Sequence, residues 1–189
     1  MEFCNSRDKT PSALDNNYYK LIRKSVLDGV EELAHLFMNQ SSDNVLQGLE
    51  VAPQEHKILH AFEPLNCKVM TFDIDPDSGA DFIGDICSFN PKLQSQSFDF
   101  VLCTEVIEHV LKPQDAVDEC MRITKKGGFV LFTSPFNFRI HGPLPDNWRI
   151  SEWGWKTLLH KYKIFSLKAI ESPDRDLFPI HYRVIAQPN

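Results

Sequence analysis

The chain reads as an α/β domain built on an open, mostly parallel sheet with helices on both faces. Three observations predict this. Short apolar, strand-like runs alternate with helix-patterned runs over residues 44–133, the pattern of parallel strands joined by crossovers. The last two strand-like runs, 165–170 and 181–186, are joined by SPDRDLFP with no helical stretch, which predicts an antiparallel edge. The third is size: 189 residues, 42% hydrophobic and 24% charged, suit one soluble domain with its own core.

The elements follow in order. Residues 1–13 are polar and loose. From Leu14 to Phe37 apolar residues recur every three or four positions (Tyr18, Ile22, Val26, Val30, Leu33, Phe37), one stripe of an amphipathic helix. Asp15 or Asn16 is its candidate cap, and NQSSD over 39–43 its polar stop. Residues 1–43 thus form a helical extension, either a lid or a helix packed on the sheet, ahead of a main domain over 44–189. In that domain, strands are expected over 45–51, 68–76, 80–83, 97–103 and 129–133. A short helix is expected over 56–62 and a longer one over 114–123. Lys125 to Gly128 reads as a turn and 135–150 as a long loop. Ser151 is placed to cap a helix over 152–162.

Charge and cysteines narrow the function classes. Twenty-six acidic against 20 basic residues give a net charge of -6, which disfavours a nucleic-acid or anionic-membrane partner. Five Cys without CxxC spacing suggest neither a disulfide framework nor a zinc knuckle. Reduced thiols fit a cytoplasmic protein. The first residues lack an apolar leader core, and no apolar run approaches the roughly 18 residues of a membrane span.

In an open α/β sheet, ligands bind beyond the carboxyl ends of the strands. The first such end is Glu50-Val51-Ala52-Pro53, with no glycine between Val51 and Ala61, so alone it reads as an ordinary turn. The second carries Asp73, about 20 residues on, at the spacing of a ribose-binding carboxylate; a solvated loop acid is the other reading. Asp85 with Ile86 pairs an acceptor with an apolar neighbour, as a nucleobase contact or a structural turn. After the fourth strand come Glu105 and His109, four apart. On a helix they would share a face, with Glu105 orienting His109 as a base near neutral pH; capping or packing would explain His109 equally well. His56 and His60 have the same spacing, but no carboxylate or thiol partner completes a metal set; they read as surface residues, with a metal pair as the other reading, and no metal is expected.

These segments together resemble the class I S-adenosylmethionine-dependent methyltransferases, in particular the small methyltransferase-domain group. The strongest stretch is GDIC through SFDFVLCTEVIEHVLKPQDAVDECMRITKKGGFVLFTSP, residues 84–135. TFDIDPD matches the family's acidic end of strand two. The resemblance implies a Rossmann-like sheet of seven strands, ordered 3-2-1-4-5-7-6 with strand 7 antiparallel. It also implies S-adenosylmethionine as cofactor. By position, Asp73 with Ile74 would hold the ribose, and Asp85 and Ile86 the adenine. Thr104 and Glu105 would lie near the methionine part and the methyl group. Glu50 and Ala52 would sit under the methionine carboxylate and sulfonium. The family's Gly-x-Gly-x-Gly is replaced by Val51-Ala52-Pro53-Gln54. Asp99, at the start of its strand, takes a structural role.

A methyltransferase implies a proton acceptor only for acceptors that must lose a proton. His109 and His141 are the catalytic candidates, with Glu105 or Asp146 as orienting acids. Arg139 and Arg149 could hold an acidic or phosphorylated acceptor; surface ion pairing is the plainer role. The expected acceptor is a small molecule, methylated on O or N. The competing reading is a non-catalytic member with a degenerate cofactor site used for protein interaction, with Trp148, Trp153 and Trp155 as a patch. A nicotinamide-dependent oxidoreductase fits worst, because its phosphate turn depends on the missing glycines.

Overall fold

The computed structural model describes residues 10–38, 44–53, 56–173 and 175–189. The expected polar stop over 39–43 and most of the loose start lie outside these residues. Among these residues eleven elements follow in order: helix α1 (Ala13–Met38), strand β1 (Leu46–Val51), a 3-10 helix (His56–Phe62), β2 (Cys67–Asp73), β3 (Phe82–Ile83), β4 (Phe98–Thr104), α2 (Pro113–Ile123), β5 (Thr124–Pro135), α3 (Glu152–Leu158), β6 (Lys163–Glu171) and β7 (Pro179–Gln187). The seven strands form one sheet in the order β3-β2-β1-β4-β5-β7-β6. Pairings from β3 through β5 are parallel, and β7 runs antiparallel to both β5 and β6. This is the order that the resemblance implies, with the antiparallel edge that the SPDRDLFP connection predicts.

Both faces of the sheet are covered. The stripe of α1 (Val26, Val30, Leu33, Ala34, Phe37) packs with Ile58 and Phe62 on Phe100, Leu102, Leu131 and Ile185. On the other face, Val117, Cys120 and Met121 of α2 and Trp155 of α3 pack with Val101, Cys103, Val130 and Phe132. Strand β4 lies in the middle and is buried along almost its whole length, which explains its unbroken apolar run. Gly48 of β1 is where the first face is tightest. A Cβ there would lie 2.3 Å from the Phe100 ring, which stacks on Phe62 with centroids 4.2 Å apart.

Several elements differ from the sequence reading. Neither Asp15 nor Asn16 is the N-cap of α1: Ser12 is. Its hydroxyl accepts from Asp15 N at 3.1 Å while the Asp15 carboxylate accepts from Ser12 N at 2.8 Å, a reciprocal capping box. The short helix over 56–62 is 3-10. Strand β5 begins at Thr124, ahead of the expected turn. Its register on β4 jumps from Phe98↔Thr124 to Phe100↔Phe129, so residues 125–128 swing out as a large bulge, with Gly127 at φ 82. Asp99 secures that region structurally: its Oδ2 accepts from Gln47 N at 2.7 Å and Lys125 Nζ at 2.8 Å. Ser151 caps α3 through Gly154 N, but the helix ends at Leu158, short of Tyr162.

Candidate active site

A cavity of about 510 Å³ opens beyond the carboxyl ends of β1, β2 and β4, within the volume range of small-molecule sites. Ala52, Asp73, Ile74, Asp85, Ile86, Glu105 and His109 line it. These residues come from four separate sequence segments brought to one mouth by the parallel sheet. Glu50, Thr104 and His141 were expected at the site but do not line the cavity. Thr104 is buried and paired with Thr133 in the sheet. Glu50 is 2% exposed, inside the end of β1.

The first turn does without glycine by an unusual backbone. Ala52 has φ 51, the left-handed region that glycine favours. Its N–H donates to Phe72 O at 2.7 Å, tying β1 to β2. With only a methyl as side chain, Ala52 leaves the mouth nearly as open as glycine would. Beside it, burial pushes the Glu50 carboxyl up to about 7, and its Oε2 has no hydrogen-bond partner among the described residues.

Two acids have their backbones folded around them. Asp73 Oδ1 accepts from Asp75 N at 2.9 Å, and Gly84 N donates to Asp73 O at 2.9 Å. Asp85 Oδ1 accepts from Cys87 N at 2.8 Å. Such Asx turns hold the carboxylates rigidly at the strand ends.

The Glu105–His109 expectation is corrected. The stretch between β4 and α2 is an irregular turn, not a helix, and Glu105 does not orient His109. Glu105, itself at φ 55, accepts from Thr133 Oγ1 at 2.9 Å and pairs with His181 Nε2 at 2.8 Å. His181 in turn reaches Ser25 Oγ of α1 at 2.9 Å. Burial pushes the Glu105 carboxyl up, but the attraction and hydrogen bond of His181, the Thr133 hydroxyl and the charge of His141 outweigh it and hold it below its ordinary value.

His109 is set by the long loop instead. Its Nδ1 donates to Pro145 O at 2.9 Å, so in the neutral ring Nε2 carries the lone pair. The loop is fastened to this turn: Asn147 N and Trp148 N donate to Glu108 O at 2.7 and 3.1 Å, and Trp148 Nε1 donates to Val110 O at 2.8 Å. His141 lies beyond, with its ring edge-on to His109 and centroids 5.0 Å apart. Its backbone N donates to Asp146 Oδ2 at 3.0 Å, and its Nδ1 is 3.1 Å from the same oxygen. Arg149 clasps the two oxygens of Asp146. Its guanidinium is therefore committed inside the loop and is not free for an acidic acceptor. Arg139 lies 3.5 Å from Asp15.

Two residues escaped the sequence reading. Glu108 is fully buried beneath His109 and His141, and neither of its oxygens has a hydrogen-bond partner among the described residues. Its signal is an acid set between the apolar Val106-Ile107 pair and a histidine. His181 is a fully buried histidine in the largely buried strand β7. The three tryptophans do not form one patch: Trp155 is in the core against Phe132, while Trp153 is exposed. No helix of the described residues is long and apolar enough to cross a membrane.

Comparison with known proteins agrees with this geometry. Residues 49–132 match the family described as methyltransferase domain. Among curated proteins, the ubiquinone biosynthesis O-methyltransferase of Pectobacterium atrosepticum is 29% identical over 119 residues, 60% of this chain and 44% of that protein. The Vibrio atlanticus enzyme of the same name is 29% identical over 92 residues, 48% of this chain and 34% of that protein. The chain thus aligns with less than half the length of these relatives. Among solved structures, an S-adenosylmethionine-dependent methyltransferase from Clostridium acetobutylicum superposes with a TM-score of 0.62 at 12% identity, covering 93% of this chain and 98% of that one. A second, from Methanosarcina mazei, gives 0.58 at 16% identity over 78% and 94%. The sheet order and these structural likenesses place the chain on the methyltransferase fold, and residues 49–132 within it match the methyltransferase-domain family.

Proposed function

We propose that the protein is an S-adenosylmethionine-dependent methyltransferase acting on a small molecule, at a hydroxyl or an amine. The observation that carries this is the cavity itself: Ala52, Asp73, Asp85, Ile86 and Glu105 line one mouth at the positions the resemblance assigns to the cofactor. The residues present fit that group. The left-handed Ala52 supplies the glycine-like turn, and Asp73 lines the mouth at the end of β2, where its carboxylate can accept from ribose hydroxyls.

S-adenosylmethionine supplies a methyl group already made electrophilic by its sulfonium. The chain's part is binding, alignment and exclusion of water. Asp73 accepts from hydroxyls, and Asp85 with Ile86 offers an acceptor beside an apolar surface. Val106, Val110, Pro143 and Pro145 make the wall apolar on the side of the loop. For an acceptor that must lose a proton, His109 Nε2 takes it, with Nδ1 anchored on Pro145 O. The names of the curated relatives support an oxygen acceptor.

The experiment is incubation with methyl-labelled cofactor and panels of hydroxylated aromatics, sugars and amines. Label in a small-molecule product, lost in Asp73→Ala, supports the reading. Folded protein that binds no cofactor and labels no product would favour the non-catalytic reading, whose support is the absence of glycine after β1.

A further inference from the structure

We infer that Glu108, His109 and His141 form a binding site for a divalent transition-metal ion beside the cavity. One donor atom from each lies within 4.8 Å of the other two. Glu108 Oε1 is 3.7 Å from His109 Nε2 and 3.6 Å from His141 Nε2. Ligand atoms around a tetrahedral ion with bonds of about 2.0–2.1 Å are roughly 3.4 Å apart, so small side-chain movements close the set.

The second observation is Glu108 itself. It is 0% exposed, and both carboxylate oxygens lack a hydrogen-bond partner among the described residues. An unpaired buried carboxylate is costly, and such groups in native proteins call for an ion, a water or a function. Its surroundings do not supply a cation at close range: Arg149 is turned onto Asp146, and His181 onto Glu105. Glu105 adds negative charge nearby, which favours a cation further.

The histidines are prepared as ligands by what lies behind them. His109 Nδ1 donates to Pro145 O at 2.9 Å, leaving Nε2 as the electron-pair donor. His141 Nδ1 lies 3.1 Å from Asp146 Oδ2 without a hydrogen bond between them, so a small ring rotation would make one, and Arg149 fixes that carboxylate. A carbonyl or carboxylate behind a metal-binding imidazole is the usual supporting arrangement. The turn and the loop that bring the three ligands together are themselves joined at Glu108 O.

Two imidazoles and one carboxylate suit zinc, cobalt, manganese or ferrous iron better than magnesium or calcium. Three protein ligands leave positions open for a further donor. Because His109 also lines the cavity, that donor would be an oxygen of the methyl acceptor, whose acidity the ion would raise. His109 would then be a ligand and not the free base. This last step rests on the methyltransferase reading; metal binding does not.

The test uses the full chain, stripped with a chelator, then titrated with Co²⁺ by visible absorption and with Zn²⁺ by calorimetry. The expected result is one equivalent bound at micromolar affinity or tighter, with a nitrogen–oxygen cobalt spectrum. His141→Ala and Glu108→Gln should each weaken it at least tenfold. Circular dichroism checks that the variants fold, and zinc should raise the Tm of wild type but not of His141→Ala. Absence of stoichiometric binding, unchanged affinity in His141→Ala, or a thiolate–cobalt band each overturns the inference. Asp73→Ala should bind Co²⁺ like wild type, and wild-type protein that binds the metal but not S-adenosylmethionine would fault the methyltransferase reading alone.

Discussion

His181 Nε2 on β7 lies 2.8 Å from Glu105 Oε1 at the end of β4, a contact made between strands that are not neighbours in the sheet. Strand β5 lies between them, and its Thr133 donates to the same Glu105 oxygen at 2.9 Å. The other nitrogen of His181 reaches Ser25 of α1. A chain of polar contacts thus runs from the N-terminal helix, through the sheet, to a residue lining the cavity. It gives α1 a physical link to the site although no residue of α1 lines the cavity.

Removing His181 should therefore be expensive. His181→Ala leaves Glu105 buried without its main partner, and breaking such a pair costs about 3 kcal/mol or more. Urea unfolding at neutral pH measures it; a loss below about 1 kcal/mol would mean the pair does not hold the site. The carboxyl of Glu105 is held below its ordinary value, so its stabilising contribution is present above the unfolded-state value. It is lost as the pH falls through the folded-state value. His181→Ala should remove that acid-side loss.

Glu50 has the opposite sign. Its carboxyl is raised from 4.5 to about 7 by burial, so the folded chain holds this proton more tightly than the unfolded chain does. Stability from this group is full below about 4.5 and declines as the pH rises through about 7. The size is at most about 3 kcal/mol, reduced by solvent screening. Glu50→Gln should flatten this decline in unfolding free energies measured from pH 4.5 to 8. An identical slope in the variant would contradict the assignment.

The turn after β1 tests whether its glycine-free sequence is a handicap. Ala52 sits at φ 51, where an alanine costs roughly 1–2 kcal/mol against glycine. Ala52→Gly should raise stability by about 1 kcal/mol without loss of cofactor affinity. Ala52→Val, with a branched side chain at this φ, should lose both. Equal stability of Gly and Ala at this position would show that the turn relaxes in solution.

Gly48 is constrained by packing. An added Cβ would meet the Phe100 ring at 2.3 Å, and that ring is already stacked on Phe62. Gly48→Ala should destabilise by about 2–3 kcal/mol through overpacking, seen as a lowered denaturant midpoint with unchanged slope.

The sheet was legible because its signals are local. Apolar runs, the alternation with helices and the SPDRDLFP connection each sit within one stretch of chain, and the strand order followed from the resemblance. The carboxyl ends of β1 and β2 and the segment after β3 could be read in the same way, which is why Ala52, Asp73 and Asp85 emerged as candidates. What could not be read were contacts across the fold. Glu105 and His181 are 76 residues apart, and nothing near either names the other. The i, i+4 spacing of Glu105 and His109 suggested a helix, but Pro113 opens α2 only after the turn is complete. Glu108 was passed over because its significance lies in His141, on a loop that the sequence leaves shapeless.

The central claim is that the cavity binds the cofactor. Calorimetric titration of the full chain with S-adenosylmethionine and S-adenosylhomocysteine, beside Asp73→Ala, measures it directly. Micromolar binding of both ligands is expected, weakened at least tenfold in the variant. No heat from either ligand with folded wild-type protein, or equal binding by Asp73→Ala, would contradict it.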